Sequence, residues 1–280
     1  MKKHACRRLV PLCLRHAVLA GFLLVTAYPL VWMTITAFRT EGDAQARPLG
    51  LPRQWVMTNL AEVIRSGDFG GAYANSLMLC TAAVVAAVSL AALAAFAFAQ
   101  LRFRGSHALF LLFLVGMMIP AHVTLIPLNR LLGVDGLGIK GGLTALAGPY
   151  IGFALPISIL ILRGAFAALP PDLLDASRVD GCSAWGVFRH VALPLSRPAL
   201  ATVVIFNFLT MWNEFAFALT LLGPGRETLP LALTQFKGEH DIQITLTSAA
   251  LVLVVIPLII VYVFAQKHII RGLTAGAVKE

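Results

Sequence analysis

The sequence predicts an all-α, polytopic membrane protein with six transmembrane helices, and three observations carry that class. The 280 residues are 59% hydrophobic and 12% charged, whereas ordinary soluble chains carry about 25% charged residues. Apolar runs recur along the whole chain, and a helix of about 20 residues covers the ~30 Å hydrocarbon core. Finally, 14 of the 22 Lys and Arg residues fall in alternate connections, 1–16, 100–107, 163–198 and 266–280, as expected of cytoplasmic segments under the positive-inside rule. This composition excludes a disordered tail, a collagen-like repeat and a disulfide scaffold. Cys6, Cys13, Cys80 and Cys182 are scattered and include no C-x-x-C pair, so they read as small apolar fillers. The net charge of +9 is satisfied by anionic headgroups or acidic partners and requires no nucleic acid.

The apolar runs are 17–38, 76–99, 108–128, 143–162, 199–222 and 246–265. They divide the chain into a basic cytoplasmic N-terminus (1–16), a transmembrane domain (17–265) and a C-terminal tail (266–280). Six spans put both termini on the cytoplasmic side. The first run follows Lys2, Lys3, Arg7 and Arg8, but it is longer than a signal-peptide core and lacks a small-x-small cleavage site, so a retained span is expected. Pro29, Pro120, Pro149, Pro156 and Pro257 fall inside runs, where each removes a backbone hydrogen bond. Gly148, Gly152 and Pro156 share one side of the fourth run, which suits either close helix packing or a hinge.

Ionisable groups inside the runs are scarce. Glu214 is the one carboxylate well inside a run, and the cost of a charge at that depth directs it toward the bundle interior, a partner or water. Asn207, Thr210 and Glu214, spaced i, i+3 and i+7, form one polar stripe if the helix is continuous, and Asn213 adjoins it. Such a stripe lines a solute path or pairs across an interface. His122 and Thr124, near the outer end of the third run, are weaker candidates, and His122 also fits a packing role. The histidines show no metal-ligand spacing, so no metal site is expected.

The longest cytoplasmic connection, 163–198, is polar, and ordered connections of that length are usually functional. Pro171 suits a helix start, Asp172 and Asp175 suit its positive end, and Gly181 suits a left-handed cap. Asp175 and Arg178 are spaced to pair. Ser183 is the expected N-cap of a second helix with Ala184, Val187, Phe188 and Val191 on one face, which Leu193-Pro194-Leu195 is expected to stop. The result is a helix–glycine–helix elbow with spare apolar surface for a partner or for the bundle.

Asp175-Ala176-Ser177, Asp180-Gly181 and Leu193-Pro194, in this spacing, resemble the EAA loop of binding-protein-dependent ABC importers. Asp175 stands where that loop has Glu, and Ser177 where it has Ala. Further segments resemble the second permease of carbohydrate ABC importers of the maltose type: Tyr28-Pro29-Leu30-Val31-Trp32, Asn75-Ser76-Leu77, Leu101-Arg102-Phe103-Arg104-Gly105, Met118-Ile119-Pro120, Trp212-Asn213-Glu214-Phe215 and the stretch from Arg271 to Lys279.

The resemblance implies a type I ABC importer permease in a bacterial inner membrane. It also implies a second homologous permease, two cytoplasmic ATP-binding subunits, an external solute-binding protein and a small-molecule solute such as a sugar, polyol or glycerol phosphate ester. Asp175, Ala176, Asp180, Gly181, Leu193 and Pro194 would then couple to the ATPase, and the tail 266–280 would reach the ATPase pair. The external loop 223–245, with Arg226, Glu227, Lys237, Glu239 and Asp241, would touch the binding protein or form a solvated connection. ATP and Mg would bind the partner and no cofactor this chain. In agreement, the sequence has no Gly-Lys dipeptide and so no phosphate-cradling loop of the G-x-x-x-x-G-K-[ST] kind. The alternatives are an ABC permease for a non-sugar solute, a stand-alone secondary transporter and an integral-membrane enzyme. The single intramembrane carboxylate and the long elbow speak against the second. His107, His122 and His190 form no set that would support the third.

Overall fold

The structure, a computed structural model, describes residues 2–66, 69–236 and 243–277, with side chains for 15–66, 69–234, 236 and 243–264. It is all-α. In chain order the helices are α1 (Lys2–Ala37), α2 (Glu41–Ala46), α3 (Thr58–Arg65), α4 (Phe69–Gln100), α5 (Ser106–Gly116), α6 (Leu125–Leu132), α7 (Thr144–Ala167) and α8 (Pro171–Val179). They continue as α9 (Ala184–Leu195), α10 (Arg197–Trp212), α11 (Ala216–Leu221), α12 (Leu229–Ala232) and α13 (Ile244–Ala277). Among the described residues four helices are long and apolar enough to cross a membrane, and the number reaches six if each of two bent pairs is one span. The side chains of 266–280, together with Lys237, Glu239 and Asp241, lie outside the described residues.

The chain forms two compact units, 1–67 with 233–255, and 68–232 with 256–280. In the first, the turn after α1 is organised by polar contacts. Asn59 donates to the terminal carbonyls of Ala37 at 2.9 Å and Arg39 at 2.7 Å, satisfying groups that a helix end leaves open. Arg39, only 1% exposed, donates to the Asp43 carboxylate and to the carbonyls of Asp43 and Arg47. Hydrogen bonds from Arg47 first, and then from Arg39, hold the Asp43 carboxyl down to about 2. Glu41 reaches the start of α13, accepting from Ile244 N at 3.1 Å, Thr245 N at 3.0 Å and the Thr245 hydroxyl at 2.6 Å. Burial pushes the Glu41 carboxyl upward, but these bonds and one from Gln45 outweigh it and leave it below its ordinary value.

In the second unit, α4 packs on α7 and α10. Ala83, Ala87, Ala91 and Ala95 recur every fourth residue on α4, each at most 2% exposed. Their small side chains let the backbones approach, as in other membrane helix pairs. Leu146, Ile159, Leu162 and Phe166 of α7 are fully buried in the same core. The end of α4 is tied to the end of α7 by Gln100 Nε2, which donates to Phe166 O at 2.7 Å.

Three expectations are corrected here. The third run is not one rod. After α5, the segment Ala121–Leu132 turns away by 87°, because Pro120 lacks an N–H and biases Ile119 away from helical backbone. The fifth run is also interrupted: α10 ends at Trp212 and α11 starts at Ala216. Leu193-Pro194-Leu195, in turn, does not stop the elbow's second helix but forms its last turn. The residues before it, Phe188–Ala192, adopt a π turn in which Leu193 N bonds Phe188 O, and such a bulge accommodates the N–H missing at Pro194. The chain breaks instead at Ser196, where α9 meets α10 at 77°.

Candidate functional site

The elbow is built as its sequence dictates. Pro171 occupies the first turn of α8. Gly181, at φ +83°, closes the helix with Cys182 N bonded to Ser177 O at 3.0 Å and Gly181 N to Arg178 O at 3.0 Å. These two bonds make a Schellman motif, and its left-handed residue is most cheaply glycine. The Ser183 hydroxyl accepts from Gly186 N at 3.3 Å and caps α9. Arg178 bonds Asp175 at 2.8 Å, with both side chains at least half exposed, so the pair contributes little, about 0 to 1 kcal/mol.

One elbow face turns inward. Phe188, 5% exposed, lies 5.2 Å from the Phe96 ring of α4 and 6.4 Å from Phe166 of α7, and Trp185 covers it at 5.3 Å. Val187 and Ala192 are buried beside it. The other face is open: Asp175, Ala176, Asp180 and Gly181 are exposed, as are Leu173, Val179 and Trp185. Leu193 and Pro194 are half-buried. The expected apolar face is thereby split, with Val187 and Phe188 packing on the bundle while Ala184 is exposed.

Farther along α7 and α10 is a cavity of about 400 Å³. Asn207, Thr210, Asn213, Glu214 and His122 all line it, together with Tyr150 and Phe153 of α7. At 1.5 Å per residue, roughly 15 to 20 Å of helix separates this wall from the elbow. Asn207, 2% exposed, donates to Ser158 Oγ at 2.8 Å, and Ser158 donates to Ala154 O at 2.6 Å, so a buried amide is satisfied across α7 and α10. Thr210 bonds its own helix at Phe206 O and Asn213 bonds Leu209 O.

Glu214 differs from the expected stripe. It lies past the end of α10, where its Oε1 accepts from Phe217 N at 2.7 Å and its Oε2 from Ala218 N at 3.2 Å. Tyr150 Oη donates to Oε2 at 3.2 Å. The carboxylate thus caps α11, offsetting its charge against open N–H groups, and holds the break in the fifth run against α7.

Sequence reasoning missed Tyr150, Ser158 and the anchoring of Phe188. Ser158 carried a signal, a polar residue within a long apolar run, and Phe188 carried its place on the elbow's apolar face, which did not say what it packs on; Tyr150 carried none beyond being aromatic. Gly148 and Gly152 are exposed, with open space where a Cβ would stand, so among the described residues no helix of their own compact unit packs closely on them. Among the described residues no group of three or more His, Cys, Asp or Glu could hold a metal ion.

Apolar spans around a cavity with polar wall groups, and a projecting elbow covalently joined to two of that cavity's helices, define a membrane permease. Residues 83–275 match the family described as "Binding-protein-dependent transport system inner membrane component", and the chain belongs to that family, whose members are transport permeases and not catalytic ATPase domains. It is similar to the putative ABC transporter permease protein ORF2 of Caldicellulosiruptor sp. (strain Rt8B.4), 38% identical over 93% of this chain and 94% of that one. The diacetylchitobiose uptake system permease protein DasC of Streptomyces coelicolor is 34% identical over 90% of this chain and 91% of its own length. A solved bacterial ABC transporter involved in import of the acidic polysaccharide alginate shares the fold, with a TM-score of 0.80 at 23% identity over 93% of this chain and 96% of that chain.

Proposed function

We propose that this chain forms half of the solute pathway of an ATP-driven importer for a carbohydrate or a related polyol or glycerol phosphate compound. In this reading it pairs with a second homologous permease in a maltose-type arrangement, receives solute from an external binding protein, and couples through its elbow to two cytoplasmic ATP-binding subunits that hold ATP and Mg. Both termini and the elbow face the cytoplasm of a bacterial inner membrane, in line with the one-sided Lys and Arg surplus.

One observation carries the reading: the two helices that flank the elbow, α7 and α10, are the helices whose far halves line the cavity. Closure of the ATPase pair would move the elbow as a rigid body, because its turn is locked at Gly181 and its inner face is wedged at Phe188. That displacement passes along α7 and α10 and rearranges the cavity wall, as alternating access requires. Asn207, Thr210, Asn213, Glu214 and His122 form the candidate solute-facing groups, and the open sites at Gly148 and Gly152 suit a helix of the second permease. The similarity to uptake permeases for diacetylchitobiose and alpha-glucosides supports hydroxyl-rich cargo.

The test is reconstitution of the chain with its partner permease, ATPase and binding protein in proteoliposomes. ATP-dependent uptake from a panel of labelled di- and oligosaccharides, polyols and glycerol phosphate esters is the expected result. Uptake driven by an ion gradient without ATP, or ATP-driven uptake of none of these solutes, would overturn the reading.

A further inference from the structure

A second cavity, of about 540 Å³, lies at the elbow end of α7 and is lined by Phe103, Ser106, His107, Phe110 and Arg163, with no carboxylate in its wall. Its level is fixed by the tie between the ends of α4 and α7, Gln100 to Phe166. The Arg163 guanidinium sits 4.2 Å above the Phe110 ring centroid. Its Nε is closed off from solvent and makes no hydrogen bond. This cation is therefore held by an aromatic face and not by an acid. Arg102 and Arg104, both exposed, adjoin the cavity in sequence, and no acidic residue occurs in 100–107. The helix that starts there, α5, has Gly105 as its N-cap and receives no side-chain cap.

Cations gathered at a membrane boundary with no acidic partner among the described residues of the cavity wall call for an anion from outside the chain. Phosphate is, with carboxylate, one of the anions whose geometry arginine's planar fork of donors matches. The rest of α5 indicates what carries that phosphate. Leu109, Leu112 and Val115, spaced i, i+3 and i+6, are 46%, 65% and 53% exposed, giving an apolar track that leads away from the basic cavity. A ligand with an anionic head and an apolar tail fits both parts, and basic pockets between helices are a recognised way to hold such headgroups. We propose that this cavity binds the phosphate of an anionic phospholipid, with Arg163 and His107 at the headgroup. The proposal rests on the cavity and is independent of the cargo.

The test uses the full transporter complex purified in detergent and supplied with phosphatidylglycerol, with phosphatidylcholine of the same acyl chains, or with inorganic phosphate. Native mass spectrometry and the melting temperature are the readouts. Retention of phosphatidylglycerol about tenfold above phosphatidylcholine is expected, and Arg163→Gln should remove that preference, on the order of one charge-assisted hydrogen bond. Because Arg163→Gln also removes the contact with Phe110, the double variant His107→Gln with Arg104→Gln, on the exposed rim, gives an independent arm and should lower the preference as well. Equal retention of the two lipids, or an unchanged preference in both variants, would overturn the site. Inorganic phosphate raising the melting temperature as much as phosphatidylglycerol would overturn the lipid as its source.

Discussion

Replacing Phe188 with Ala removes the wedge that fixes the elbow to the bundle. Truncating a buried Phe costs about 3 to 5 kcal/mol, and each of the ring pairs with Phe96, Phe166 and Trp185 adds about 0.5 to 1.5 kcal/mol beyond area alone. The inner-face anchors left on α9 are Val187 and Ala192, and burying one Val contributes only about 1.5 to 3 kcal/mol. Even at the low end, about 3 kcal/mol lowers the ratio of docked to undocked elbow roughly a hundredfold. In proteoliposomes holding the complete transporter, Phe188→Ala should leave ATP hydrolysis running while solute uptake falls at least about tenfold. Phe188→Leu, which gives up the ring pairs but keeps more of the buried apolar volume, should retain more of the uptake than Phe188→Ala. Wild-type uptake and an unchanged melting temperature in Phe188→Ala would refute the wedge.

Other perturbations test other joints. Glu214→Ala strips the acceptors from Phe217 N and Ala218 N and should destabilise the chain by about 1 to 2 kcal/mol, whereas Glu214→Gln should lose less; equal melting temperatures for the two variants would contradict the capping role. Gly181→Ala finds open space for its methyl but must adopt φ +83°, so a loss of about 1 to 2 kcal/mol from backbone strain alone is expected in thermal denaturation. Since the folded Glu41 carboxyl lies below its ordinary value of 4.5, the stabilisation it gives is present above that value and is lost as pH falls through the folded one. The melting-temperature gap between wild type and Glu41→Gln should therefore be full at pH 7 and shrink toward pH 4, and a gap that stays constant would remove the charge from the explanation.

The sequence made some of this architecture readable and hid the rest for physical reasons. Uninterrupted apolar runs announced α1, α4, α7 and α13, because hydropathy and length alone decide whether a helix can span. The same measure counts residues without sensing direction, so it could not register the 87° turn after α5, although Pro120 marked the place. The break at Asn213-Glu214-Phe215 contains no proline. Its signal was a carboxylate three and four residues before backbone donors that lacked acceptors, which becomes visible only once Trp212 is known to end α10. The elbow was legible because Pro171, Gly181 and Ser183 act locally, through φ and capping. Phe188 as a wedge was not, since periodicity reveals an apolar face without naming what covers it. Asn207, Thr210 and Glu214 were read as one polar stripe with Asn213 beside it, and His122 as a weaker candidate on another run; the structure places all five on the wall of one cavity.

Under the proposed coupling, the exposed tip of the elbow meets an ATP-binding subunit on the cytoplasmic side. In a background with Cys6, Cys13, Cys80 and Cys182 replaced by Ser, a single Cys at Val179, which is 87% exposed, offers the direct measurement. Cross-linking within the assembled transporter should join it to the ATP-binding subunit, and a membrane-impermeant maleimide added to intact cells should leave it unlabelled. Ready labelling from outside, with no cross-link to that subunit, would contradict force delivery through the elbow.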